Sequence, residues 1–312
     1  MVRSLLTALD SDACEAIGAL APNVEDLHLQ YCGQLDDAAL ATWAVRLQHL
    51  RSLDLYGPFL VRREAWLGFI DARGAQLESF CIRESPRFDA SCIEALASCP
   101  KLTRVALAQI GPISDVAIQP LVRPALRELD VSYPGTTAPG VPPFSLTDHG
   151  LIPLIDTHAP RLQSLNVARN GALTDAFGAA LARCTHLTTL VLDETNLSGG
   201  AYAHVIRSAP HLESVSLARC NVDDETLAAL AQCTSLRTLS INNANVSAGA
   251  LVALAKAQLP LETLDLGFVR SVDDDVLRAL SALPLRTVYV FGCNAVTPAF
   301  VPRFTLVGRE RS

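Results

Sequence analysis

Hydrophobic and polar positions change period along this chain at regular intervals. In LETLDLGFVRSVDDDVLRAL, residues 261–280, Leu261, Leu264 and Leu266 lead into a polar turn, after which Val276, Leu277 and Leu280 recur at helical spacing. The same switch returns throughout. Strand-like blocks begin at Val24, Leu50, Leu77, Leu102, Leu126, Leu162, Leu187, Leu212, Leu236, Leu261 and Leu285, and segments of helical period such as DETLAALAQC and DDDVLRALSAL follow them. Successive blocks start 24 to 27 residues apart, except for one interval of 36 between Leu126 and Leu162. That interval contains PGTTAPGVPPF, residues 134–144, whose prolines and glycines cannot continue a helix or a sheet interior, so an exposed loop is predicted there.

A short strand and a short helix cannot bury their apolar stripes alone, but identical units stacked on one another share a continuous core. Eleven blocks of one period are the signature of a leucine-rich repeat. The predicted fold is an α/β leucine-rich-repeat solenoid of about eleven repeats, a horseshoe with a parallel sheet on its concave face and helices on its convex face. Its hand is right, as crossovers between parallel strands require. A single domain is expected over 1–312: a partial N-terminal repeat in 1–23, the repeats in 24–297 with the insertion at 134–144, and a C-terminal cap and tail in 298–312.

Each entry into a helix needs an acceptor for free backbone N–H groups. Asp36, Asp89, Ser114, Thr147, Thr174, Ser198, Asp223, Ser247, Asp273 and Thr297 stand at or near that point in ten units, whereas the second unit has Arg62 and no cap. Further acids, Asp37, Asp115, Asp175, Asp224 and Asp274, are expected beside the positive end of a helix dipole. This reading takes SVDDD as a helix start and not as a metal site.

Composition narrows the function. The 312 residues are 50% hydrophobic and 18% charged, with a formal net charge of -7. Such a balance argues against a surface organised around phosphate, which would need many Lys and Arg. The start, MVRSLLTALDSD, meets acids before a signal-peptide core could form, and no run reaches the roughly 18 apolar residues of a membrane span. A soluble chain of a reducing compartment is expected, with no membrane partner. Of nine cysteines, Cys32, Cys220 and Cys293 fall at the ninth position of a unit and Cys99, Cys184 and Cys233 three residues before the next unit, so six belong to the framework. With no CxxC pair, neither a metal site nor a disulfide scaffold is predicted. The seven histidines are scattered. No nucleophile elbow, phosphate loop, dinucleotide fingerprint or HExxH is present, so the chain reads as a non-enzyme without a cofactor.

Positions 3, 5, 7 and 8 of each unit alternate with the buried leucines and should project from the sheet. Their aromatic members gather towards the two ends of the repeat array. Phe268, Tyr289 and Phe291, with Arg270 just beyond, form the leading candidate for a partner-binding surface, because aromatics and arginines anchor interfaces. Tyr31, Tyr56 and Arg83 are the next candidates. A structural alternative packs Phe291 and its neighbours under the C-terminal cap.

The cysteine-containing repeat resembles that of F-box-type ubiquitin-ligase adaptors. LHLQYCGQLDDAAL, LRSLDLYGPFL followed by Trp66, LDLGFVRSVDDDVLRAL, VFGCNAVT and FTLVGRERS are similar, almost end to end, to a narrower family of fungal radiation-sensitivity DNA-repair proteins. The resemblance implies a nuclear scaffold in global-genome nucleotide-excision repair. Its implied partners are a helicase-like ATPase with a RING finger, and elongin C with a cullin in a ubiquitin ligase that acts on the damage-recognition factor; DNA would be touched only through the complex. The family carries a polar, adaptor-binding N-terminal region, and Asp12 to Leu20 already reads as the helix half of a repeat, so the chain looks like a truncated product. A general F-box-like substrate adaptor unrelated to repair is the alternative.

Overall fold

The computed structural model describes residues 2–4, 11–111, 113–133, 146–297 and 299–308. The insertion at 134–144, expected as an exposed loop, lies outside the described residues. Contacts group the chain into two compact units, Met1–His158 and Ala159–Ser312. The first contains β1 (Val2–Ser4), α1 (Ser11–Leu20), β2 (Asp26–Leu29), α2 (Asp37–Arg46), β3 (Ser52–Tyr56), α3 (Arg63–Arg73), β4 (Ser79–Arg83), α4 (Ala90–Leu96), β5 (Arg104–Ala108), α5 (Asp115–Ile118), β6 (Glu128–Asp130) and α6 (Asp148–His158). The second contains β7 (Ser164–Asn166), α7 (Asp175–Leu181), β8 (Thr189–Val191), α8 (Gly199–Ser208), β9 (Ser214–Ser216), α9 (Asp224–Leu230), β10 (Thr238–Ser240), α10 (Ala248–Lys256), β11 (Thr263–Asp265), α11 (Asp274–Leu280), β12 (Thr287–Tyr289) and β13 (Thr305–Val307).

Within each unit the strands pair in parallel and in chain order. All eleven predicted strand blocks are strands, β2 to β12. The structure adds β1 before them and β13 after them, the latter inside the stretch expected as cap and tail. β13 pairs with β12 from Thr287↔Thr305 to Tyr289↔Val307.

Register follows from burial. Leu27, Leu53, Phe80, Val105 and Leu129 form one continuous row in the first unit. Leu165, Leu190, Val215, Leu239, Leu264, Val288 and Leu306 form its counterpart in the second. A slip of one residue would turn a whole row to solvent, and each buried leucine contributes about 2 kcal/mol by leaving water. The first residue of every block, from Val24 to Leu285, is buried. In the first unit Trp66, Phe80 and Phe88 widen the core, Trp66 meeting both phenylalanines edge-on and the two phenylalanines tilted against each other, with centroids 5.7 to 5.8 Å apart.

Two regular devices turn the chain at the end of each strand. The eighth residue of every unit has a left-handed backbone: Tyr31, Glu84, Gln109, Tyr133, Arg169, Glu194, Arg219, Asn243 and Phe268, with Gly57 and Gly292 in the remaining two. In most repeats its N–H reaches the seventh residue's carbonyl in the next repeat, as from Glu194 to Ala218, Arg219 to Asn242 and Asn243 to Gly267, at 2.7 to 2.9 Å. Where the ninth residue is Cys, Asn or Thr, its side chain turns inward and satisfies carbonyls left over at the strand end. Cys220 Sγ donates to Leu192 O at 3.0 Å, Cys293 Sγ to Leu266 O at 3.1 Å, and Asn170 Nδ2 to Val167 O at 2.9 Å.

Nine of the ten predicted caps are in place; the tenth, Thr297, precedes no helix among the described residues. Asp36, Asp89, Ser114, Thr174, Ser198, Asp223, Ser247 and Asp273 each accept from the first turn of their helix, Thr147 Oγ1 accepts from His149 N, and Arg62 makes no side-chain cap. The second row of acids does more than face a dipole. Asp115, Asp175, Asp224 and Asp274 each take both the backbone N–H and the hydroxyl of the next unit's cap residue, Thr147, Ser198, Ser247 and Thr297, at 2.5 to 2.9 Å. Asp37 does the same with Arg62, through its N–H at 2.7 Å and its guanidinium at 2.5 Å. The capless unit is thus held by its neighbour.

Candidate protein-interaction surfaces

The strand faces alternate as expected, with burial patterns such as exposed–buried–intermediate–buried in β2 and intermediate–buried–intermediate in β11. The candidate residues divide between the two units. In the second, β11 and β12 set Asp265 opposite Tyr289, and the turns beyond them carry Phe268 and Phe291, joined by a 2.6 Å bond from Phe268 N to Phe291 O. Phe268 is 54% and Phe291 46% exposed. The rings of Tyr289 and Phe291 stack with centroids 6.5 Å apart and planes 19° apart.

Glycines hold these rings flat. A Cβ built at Gly292 would run into the Phe268 ring, and one at Gly308 into the Phe291 ring. Each phenylalanine therefore rests one side on the backbone just past the end of the following strand and turns the other outward. This places Phe291 against the C-terminal strand, as the capping alternative expects, yet leaves nearly half its surface in solvent. Arg270 is exposed, with no carboxylate at ion-pair distance among the described residues.

In the first unit the candidates are partly engaged. Arg83 Nη1 meets Asp54 Oδ1 at 2.9 Å, and the other oxygen of Asp54 lies 2.8 Å from His28 Nδ1. Tyr56 donates its hydroxyl to Glu84 at 2.7 Å, and this bond to a carboxylate raises the phenol above its ordinary pKa. Tyr31, 62% exposed, packs edge-on against Tyr56 with centroids 6.0 Å apart. The structure adds two residues to this group: Phe59 and Leu60 are nearly half exposed, and the Phe59 ring covers Gly57 and Gly33. Their signal lay in LYGPFL, which the repeat pattern does not demand.

Other polar clusters are self-satisfied. The shallow groove lined by Leu173, Asp175, Asn196, Ser198 and Asn221 contains the Asp175–Ser198 bonds and a 3.2 Å bond from Asn221 Nδ2 to Asn196 Oδ1. All nine cysteines are buried and unbridged, and burial pushes Cys32 to about 12 and Cys92, Cys99 and Cys233 to about 11. Among the described residues, no group of three or more His, Cys, Asp or Glu side chains is arranged to hold a metal ion, and no helix is long and apolar enough to cross a membrane.

Comparison with known proteins agrees with this architecture. The Leucine Rich repeat family matches residues 208–231. The DNA repair protein rhp7 of Schizosaccharomyces pombe is 29% identical over 232 residues, 70% of this chain and 39% of the relative. The DNA repair protein RAD7 of Saccharomyces cerevisiae is 34% identical over 127 residues, 39% of this chain and 22% of the relative. The chain thus spans well under half the length of these curated relatives. Yeast Rad7, in its crystal structure with Elc1, superposes with a TM-score of 0.81 at 27% identity, over 96% of this chain and 78% of that one. This chain has a leucine-rich-repeat fold and is similar, in sequence and in fold, to the fungal DNA repair proteins rhp7 and RAD7.

Proposed function

We propose that residues 1–312 act as one leucine-rich-repeat interaction module of a nuclear DNA-repair adaptor. In this reading the chain is a non-catalytic scaffold in global-genome nucleotide-excision repair. It serves as the substrate-recognition subunit of an elongin C and cullin ubiquitin ligase, with a helicase-like, RING-containing ATPase as partner and the damage-recognition factor as target. The observation that carries the reading is the likeness to Rad7, a protein crystallised with Elc1, which extends over 96% of this chain. Surface chemistry is consistent with it: the polar clusters are spent on internal bonds, while exposed aromatics remain at strand ends in both units.

Phe268, Arg270, Tyr289 and Phe291 are the proposed first partner contact, with Tyr31, Tyr56 and Arg83 as the second. Co-expression of the chain with elongin C and with the ATPase, followed by affinity purification, tests the function. Recovery of the ATPase is expected, and of elongin C where the co-expressed protein also carries the adaptor-binding N-terminal region that the resemblance implies. Recovery of a ligase core without the ATPase would favour a general substrate adaptor unrelated to repair, and recovery of neither would overturn the reading. In the same assay, combined replacement of Phe268 and Tyr289 by Ala should cost about 2 to 4 kcal/mol of affinity for the partner that uses this patch. Unchanged binding with a lowered denaturant midpoint would assign the two rings to the capping of the fold.

A further inference from the structure

We propose that the outward face of the last four strands, β10 to β13, docks an acidic segment of a partner protein that also presents bulky apolar side chains. This rests on reading the chain as an interaction module and supplies the chemistry of what the module takes.

Three observations converge. The apolar anchors are prearranged: Phe268 lies on Gly292, Phe291 lies on Gly308, and Tyr289 stacks on Phe291, so binding would freeze little additional side-chain motion. Beside them runs a row of small hydroxyl side chains, Thr238, Thr263, Thr287 and Thr305, in register on adjacent strands. No bulky group along that row blocks an extended chain. The third observation is charge. Although the chain carries -7 overall, among the described residues this face has four arginines against two acids, an excess of two positive charges. Arg270 and Arg303 are exposed with no carboxylate at ion-pair distance among the described residues. Arg237 and Arg286 share the single carboxylate of Glu262, at 2.8 and 3.2 Å. The other acid, Asp265, uses its oxygens on Ser240 Oγ at 3.1 Å and Gly267 N at 2.9 Å. The nearby helix-start acids are likewise committed, Asp273 to Val276 N, Asp274 to Thr297 and Asp275 to Arg278.

Aromatic rings with arginines also suit single-stranded nucleic acid, which needs a continuous basic track along its backbone. Here the arginines stand apart, Arg270 past the C-terminal ends of the strands and Arg237, Arg286 and Arg303 before their N-terminal ends, with Asp265 on the strand face between. Discrete positive points around an aromatic anchor fit carboxylates spaced along a peptide.

The test is selection of a random peptide library displayed on phage against the intact protein. Enriched peptides should combine Asp or Glu with Leu, Phe or Trp, and a fluorescein-labelled representative should bind about tenfold more weakly to Phe268→Ala and to the Arg270→Glu, Arg303→Glu double variant. Denaturant midpoints measured on the same variants should stay near that of the parent. No enrichment, enrichment without acids, or binding indifferent to these variants would overturn the proposal. So would tighter binding of a labelled oligothymidylate that the variants abolish, or self-association in sedimentation that Phe268→Ala removes. Failure of the selection while the parent still co-purifies with the repair partners would discard this ligand and leave the scaffold reading standing.

Discussion

Gly292 shows how much one residue decides in this fold. Its φ of +66° belongs to the region where a side chain is strained, and a Cβ there would strike the Phe268 ring. Gly292→Ala should therefore destabilise the protein by about 1 to 3 kcal/mol and move Phe268, read as a lower urea midpoint and altered ring resonances in NMR spectra. The left-handed turns at Phe268 and Asn243 have no such neighbour problem, because there the residue is itself the one projecting outward. Cysteine chemistry gives a second expectation at this scale. Buried thiols with raised pKa are poor nucleophiles, so Ellman's reagent at about pH 8 should titrate almost no thiol in the native protein and all nine after unfolding in guanidinium. Rapid reaction of the native thiols would mean that the strand-end turns open readily.

At the scale of elements, the helices are too short to persist alone and are held by caps that cross between repeats. Ser247 both caps α10, through Ala250 N at 3.1 Å, and donates to Asp224 of the preceding repeat. Ser247→Ala should cost about 1 kcal/mol, and a double-mutant cycle with Asp224→Ala should show coupling, since both changes remove one shared bond. Additive effects in denaturation would argue that the two act separately. Asp175 makes the same link to Ser198, whose backbone N–H and hydroxyl hold its carboxyl below the usual range. A carboxylate with a depressed folded pKa adds stability above its unfolded value of about 3.9 and loses it as pH falls through the folded one. The stability gap between the parent and Asp175→Asn should thus be present at about pH 7 and close by about pH 2 in urea titrations. The caps themselves were legible from the recurrence of Ser, Thr and Asp at one place in the period. Their partners were not, because the acid and the hydroxyl it holds lie 23 residues apart in sequence, or 32 for Asp115 and Thr147, and meet only when repeats stack.

For the whole molecule, charge is the property that reaches furthest. A chain of net charge -7 gains little from releasing the counterions of a duplex, so the isolated protein at about 0.15 M salt should bind duplex DNA weakly and without large preference for damaged sites. Fluorescence anisotropy with intact and ultraviolet-irradiated duplexes checks this, and tight lesion-specific binding would move recognition of DNA into this chain. Nine of the 32 acids stand at helix starts, bound to backbone N–H groups. This frees the strand face beyond β10 to be locally positive, an arrangement invisible in the total.

What the sequence determined by itself was everything that repeats: the strand blocks, their register, the capped helix starts and the inward ninth position. These follow from local periods and from side chains acting on their own backbone, so neighbours in sequence suffice to read them. Tertiary structure alone decided what depends on the adjacent turn. It tied Arg83 to Asp54 and Tyr56 to Glu84, withdrawing two candidates in part from solvent, and it left Phe59 half exposed over Gly33 and Gly57. It made β13 from a stretch with no repeat spacing, and it laid Phe268 and Phe291 on the glycines just past the ends of the following strands. The physical reason is common to all of these: stacking brings together groups about 25 residues apart, and whether a side chain faces solvent is set by that neighbour, not by its own position in the period.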